Sequence, residues 1–143
     1  MPEYKAPLRD MRFVLNEVLD LDGHYAKLGL EEVNSELLNA FLEEGAKFAE
    51  NELSPLNRSG DEEGCGFENG AVTTPKGFKD AYKQFDEAGW QGLSHPEQYG
   101  GQGLPMSMGL IKTEMLGTAN WSFNMYPGLS LGAMNTIMQH ASE

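Results

Sequence analysis

The sequence holds a single cysteine, Cys65, among 143 residues. No disulfide can close within the chain, which fits a reducing compartment. Basic residues are also scarce: ten Lys and Arg stand against 22 Asp and Glu, for a formal net charge of −12. Nucleic-acid affinity comes largely from Lys and Arg neutralising phosphates, and anionic lipid surfaces attract the same cations. Both partner classes are therefore excluded. No apolar run is long enough to span a bilayer, and the start Met1-Pro2-Glu3-Tyr4-Lys5 lacks the apolar centre of a signal peptide. The chain reads as cytoplasmic. Its three histidines, His24, His95 and His140, never approach ligand spacing, and there is no His-Glu-x-x-His. Each reads as a surface or loop residue. A nucleophile elbow is missing, and no carboxylate pair stands out from the acidic background. Neither a catalytic residue nor a metal ligand is assigned. Strand alternation and internal repeats are absent too.

What is present suits a soluble globular protein of one-domain length, 40% hydrophobic and 22% charged. Such a chain can bury roughly 68–70% of its unfolded surface. Leu8, Met11, Leu15, Val18 and Leu19 recur at helical spacing, and Asp22-Gly23 ends that pattern. This short stripe must dock on the helices that follow. His24 to Leu30 is a connection. From about Val33 to Leu53, one stripe carries Leu37, Leu38, Phe41, Leu42, Ala46, Ala49 and Leu53, with Phe48 at its edge, until Ser54-Pro55 stops it.

Leu56 to Thr73 reads as a long acidic loop with four glycines. Its carboxylates invite a calcium reading, but an EF-hand register from Asn57 puts Glu62 where the glycine belongs. Cys65 has no neighbouring His or Cys to make it a ligand or nucleophile. Thr74-Pro75 marks a helix start, Phe78, Ala81, Tyr82 and Phe85 give its stripe, and Gly89 sits as the left-handed glycine that closes it.

The stretch Trp90 to Gly103 then joins two helical halves. Trp90, Leu93 and Tyr99 are expected to pack back onto the helices, and Gly100, Gly101 and Gly103 permit positive φ or close backbone approach. It is no phosphate loop, since it lacks a preceding strand and a Lys-Ser/Thr pair. After Pro105, Met108, Ile111 and Met115 line one helical face while Lys112 and Glu114 point elsewhere. Gly117 to Asn120 ends that helix, and a second begins near Trp121. Proline inside a helix removes one hydrogen bond and bends the axis. The pattern is therefore expected to break at Pro127-Gly128 and open a gap that core side chains or a ligand must fill. Phe123, Asn124, Tyr126 and Leu131 are placed to line it. Eight methionines, most of them between Met106 and Met138, serve either as flexible core filler or as an adaptable pocket wall. The fold class is all-α, a bundle of about five or six helices.

The run Gly89-Trp90-Gln91-Gly92-Leu93-Ser94-His95-Pro96-Glu97-Gln98-Tyr99-Gly100-Gly101-Gln102-Gly103 resembles the signature loop of flavin-dependent acyl-CoA dehydrogenases, in their amino-terminal helical domain. Leu56 to Cys65 and Met125 to Ser130 strengthen the resemblance. Tyr4 to Phe13 looks like the amino-terminal extension of a bacterial subgroup similar to methylthiopropionyl-CoA dehydrogenase. The resemblance implies an extension over residues 1–30 and the helical domain over 31–143. In that family a β-domain and a carboxy-terminal helical domain follow, with FAD between them and the catalytic glutamate in the last. Together they convert an acyl-CoA to an enoyl-CoA. No residue of this chain is assigned to the flavin or to the base. What carries over is the acyl end of the pocket, on Phe123, Asn124, Tyr126, Pro127, Gly128 and Leu131. The implied partners are the acyl-CoA substrate, the enzyme's other domains and further copies in a homo-oligomer. The chain is expected to be such a domain cut from a longer enzyme, or made alone and then inactive. The alternative is a stand-alone helical interaction or acyl-binding module without catalysis.

Overall fold

The computed structural model describes residues 3–142. Helix α1 (Leu8–Arg12) runs into a π-helical turn, Phe13–Val18, and α2 (Leu21–Lys27) follows. Helix α3 (Ser35–Phe48) continues as a second π-helical turn, Ala49–Leu53, and then as α4 (Ser54–Glu63). A hairpin of β1 (Gly66–Glu68) and β2 (Ala71–Thr73) leads to α5 (Phe78–Glu87). Helices α6 (Met106–Ala119) and α7 (Trp121–His140) complete the chain. The architecture is a helical bundle with one small antiparallel hairpin, in register Gly66↔Thr73, Phe67↔Val72 and Glu68↔Ala71.

One core holds the bundle together. Leu42, Leu53, Phe85, Met108, Met115, Leu116 and Phe123 have almost no exposed surface. Met108 and Met115 are thus core filler, whereas Met106 and Met125 are exposed. Helix α1 docks on α3 as its stripe requires: Met11 and Leu15 join the core, and Arg12 bonds Glu43 and Asn39 at 2.8 Å each. Val18 and Leu19 are exposed instead. The wider π turn carries them off the stripe, because its i→i+5 ladder advances each residue by a smaller angle.

Several boundaries differ from the sequence reading. Residues 24–27 are helical, since Asp20 caps α2 by accepting from the Gly23 amide at 3.3 Å, so Asp22-Gly23 falls inside a helix. Tyr25 on this helix is buried and shares a 2.5 Å hydrogen bond with Ser107. Pro55 does not stop the helix: it lies in the first turn of α4, directly after the π-helical turn that carries α3 into α4. Gly60 lies mid-helix because the Phe78 ring packs on it; a Cβ there would stand 2.6 Å from Cε1. The hairpin turns on Asn69-Gly70, both at positive φ (50° and 81°), the pairing favoured by a two-residue turn that follows strand twist. Helix α5 starts at Phe78, with Gly77 before it at φ 89°, so Thr74-Pro75 forms a preceding turn and not the cap. Lys112 is buried rather than pointing away from the core.

The connection between α5 and α6 is cross-bonded along its length. Gly89, at φ 75°, donates to Asp86 and Trp90 donates to Phe85, the two bonds of a Schellman cap. The amides of Gly100, Gly101, Gln102 and Gly103 donate to Glu97, Pro96, Gly92 and His95 in turn. A Cβ on Gly101 would overlap the His95 carbonyl, so that position admits glycine alone. Trp90, Leu93 and His95 are buried, while Tyr99 is 73% exposed and does not pack back as its size suggested. Lys112 anchors this connection by donating from Nζ to the Trp90 carbonyl at 3.0 Å.

Candidate functional site

Asn120 sets the direction of α7. Its side chain accepts from the Phe123 amide at 2.9 Å, and its Nδ2 donates to the Leu53 carbonyl at 3.2 Å, with the whole residue buried. The helix then passes through Pro127 as one uninterrupted element, so the expected break in the pattern is absent. Gly128, the next residue, is exposed, and a Cβ on it would meet nothing within 4 Å.

The six residues singled out on α7 divide between two faces. Asn124, Pro127, Gly128 and Leu131 follow helical spacing on one of them. Asn124 and Pro127 are buried and Leu131 is half-buried. Pro127 meets the signature loop, its carbonyl accepting from Gln91 Nε2 at 3.2 Å. Farther along α7, Met134, Ile137 and Met138 line a groove of about 590 Å³ with His95, Pro96, Gln98 and Tyr99. His95 is 5% exposed, so it is a buried loop residue. Both its ring nitrogens, and Gln91 Oε1, are buried without a partner among the described residues.

Phe123 and Tyr126 turn the other way. With Phe78 and Tyr82 they wall a cavity of about 750 Å³, whose rim carries Val72, Thr73, Thr74, Lys76, Lys79 and Ser130. Phe78 stands 6.0 Å from both Phe123 and Tyr126, in edge-on contact with each. Aromatic contact continues inward through Phe48 to Trp90 and Phe41. The Tyr126 hydroxyl meets Cys65 Sγ at 3.4 Å; that bond, then burial, raises the phenol above its ordinary range. Sequence reasoning had no means of finding this contact, since the two residues lie 61 positions apart and no pattern in the chain pairs them. Lys112 lies behind the loop with its ammonium 5.4 Å from the centre of the Phe85 ring, and burial lowers its pKa.

A helical bundle with a self-bonded glycine loop laid across its last helix defines a class, and residues 35–143 match the family described as acyl-CoA dehydrogenase, N-terminal domain. The chain belongs to that family. It is 39% identical over 134 residues to 3-methylmercaptopropionyl-CoA dehydrogenase of Ruegeria pomeroyi, covering 94% of this chain and 23% of that protein. It is 31% identical over 149 residues to butyryl-CoA dehydrogenase of Syntrophomonas wolfei, covering 98% of this chain and 23% of that protein. The chain thus spans less than a quarter of the length of these relatives.

Proposed function

We propose that this chain is the amino-terminal domain of an FAD-dependent acyl-CoA dehydrogenase and supplies one wall of its acyl pocket. Residues 1–30 form the extension that precedes the domain. The observation that carries the reading is the face Asn124, Pro127, Gly128 and Leu131. It continues into Met134 and Met138 under the signature loop, with open space beside Gly128. Apolar side chains and a few polar atoms along a groove suit an acyl chain. Phe123 and Tyr126 back this wall from the other side, and their bulk limits how far it can recede.

The flavin does not fit these residues. A dinucleotide's pyrophosphate needs free backbone amides, and the loop amides of residues 100–103 are all spent within the loop. This reading leaves flavin binding and the catalytic base to other parts of the enzyme, and the exposed apolar side chains Leu110, Trp121, Leu129 and Ile137 offer those parts a docking surface.

The test is acyl-CoA oxidation by the full-length enzyme across a chain-length series, comparing wild type with Gly128→Leu and Leu131→Trp. Filling the wall shifts kcat/KM toward shorter acyl groups. An equal loss at every length, or no change, overturns the assignment. Native mass spectrometry of the protein with a visible absorbance scan separates the readings further. Flavin, or a partner polypeptide carrying it, supports the dehydrogenase. A colourless chain without such a partner means an isolated domain, competent at most to bind.

A further inference from the structure

We infer that the cavity between α5, the hairpin and the Phe123–Tyr126 face of α7 is a binding site for an organic carboxylate with an apolar body. It lies on the face of α7 away from the signature loop and does not depend on the acyl-CoA reading. Three observations converge on it. The walls are the rings of Phe78, Tyr82, Phe123 and Tyr126, and the volume of about 750 Å³ falls within the range of small-molecule sites. The charged residues of the lining are both cations, Lys76 and Lys79, in a chain of net charge −12. Neither lysine has an ion-pair partner among the described residues, although Lys5, Lys47 and Lys83 each have one. Two acids lie near in the chain, but neither lines the cavity: Glu63 accepts from the Lys76 amide at 2.9 Å, and Asp80 follows Lys79 in the first turn of α5.

The rim also holds the start of α5, a ten-residue helix whose preceding Gly77 gives no side-chain cap. The amides of Lys79 and Asp80 meet no acceptor among the described residues. An uncapped helix start adds positive potential where the two ammonium groups already stand. The complementarity is therefore ordered in space. A carboxylate sits at the rim against Lys76, Lys79 and the first turn of α5, and the apolar body lies inward on the four rings. Hydroxyls of Thr73, Thr74 and Ser130 complete a polar edge. Flat rings and an open mouth accept alkyl and aryl bodies alike, so the fixed requirement is an apolar body joined to an anion.

The test is a titration of the intact chain, followed by amide chemical shifts in two-dimensional NMR, with decanoate, 1-decanol and acetate as separate probes. Decanoate is expected to bind saturably and shift the amides of Val72, Lys79, Asp80 and Tyr126. Decanol, which lacks the charge, and acetate, which lacks the body, bind at least about tenfold more weakly. Charge-assisted hydrogen bonds of about 1.5–3 kcal/mol correspond to that ratio or more. Both lysines and Ser130 are exposed, so substitutions there leave the fold intact. The double variant Lys76→Gln/Lys79→Gln loses the preference for decanoate over decanol but still binds decanol. Ser130→Trp fills the mouth and abolishes both. The inference is overturned if decanoate binds no better than decanol, if the lysine variant binds it unchanged, or if the shifts map to the groove by Met134 and Ile137.

Discussion

Lys112 is buried with no carboxylate against it among the described residues, and its ammonium finds one carbonyl and one aromatic face. Desolvation favours the neutral amine, so the folded state holds this proton less tightly than the unfolded chain does. The associated stability is fully present above the ordinary lysine pKa and is lost as pH falls through the lowered value. Between the two, wild type should gain stability with rising pH relative to Lys112→Met, which has no such proton; urea unfolding of both proteins over that alkaline window checks the slope. Glu50 works in the opposite range. The Lys5 ammonium and the Ala6 amide, each at 2.9 Å, hold its carboxyl below the usual value. That contribution is lost as pH falls through the lowered value. At Gly60, alanine would gain about 1 kcal/mol in helix propensity, but its Cβ would press into the buried Phe78 ring at 2.6 Å. Overpacking costs about 1–3 kcal/mol, so Gly60→Ala should lower the urea midpoint.

The elements show where local sequence decides and where it does not. Helical periodicity marked out α3, α5 and α6, and glycine chemistry located the Schellman cap at Gly89, because those signals lie within one or two turns. Helices α2 and α4 escaped notice since Gly23 and Pro55 stop helices in isolation; here Asp20 caps across the glycine and the proline occupies a first turn. The hairpin had a readable signal in Asn69-Gly70, but its strands are only three residues long and too short to alternate. Gly70→Val should force a β-branched residue into the left-handed region at a local cost of about 1–2 kcal/mol. Hydrogen exchange should then quicken at the hairpin amides and stay unchanged in α3 and α6. The division of the candidate site between two faces of α7 was hidden for a different reason. Helical spacing groups residues by angle, and only tertiary packing tells which face meets the loop and which meets Phe78. Asn120 ties the two scales together. Removing its side chain in Asn120→Ala loses the cap of α7 and the bond to the Leu53 carbonyl, a combined cost of about 1–3 kcal/mol in unfolding experiments.

At the scale of the whole molecule, a strong negative charge surrounds uncovered apolar side chains. Trp121, Met125 and Leu129 recur every fourth residue along α7 and are all exposed, as are Met106 and Leu110 on α6. Charge repulsion keeps isolated copies apart at low ionic strength, and salt removes that protection. Sedimentation of the chain should therefore show a mass that rises with concentration in high salt and stays monomeric in low salt; a monomer throughout would mean these faces do not attract one another. The two tryptophans fall on opposite sides of this contrast. Trp90 is sealed among Phe41, Phe48 and the stem of the loop, whereas Trp121 is 61% exposed at the foot of α7. The protein consequently carries two intrinsic optical reporters with separate subjects. Emission from Trp90 should lie to the blue and resist acrylamide until the bundle itself unfolds, while emission from Trp121 should lie to the red and respond whenever anything settles on the outer face of α7.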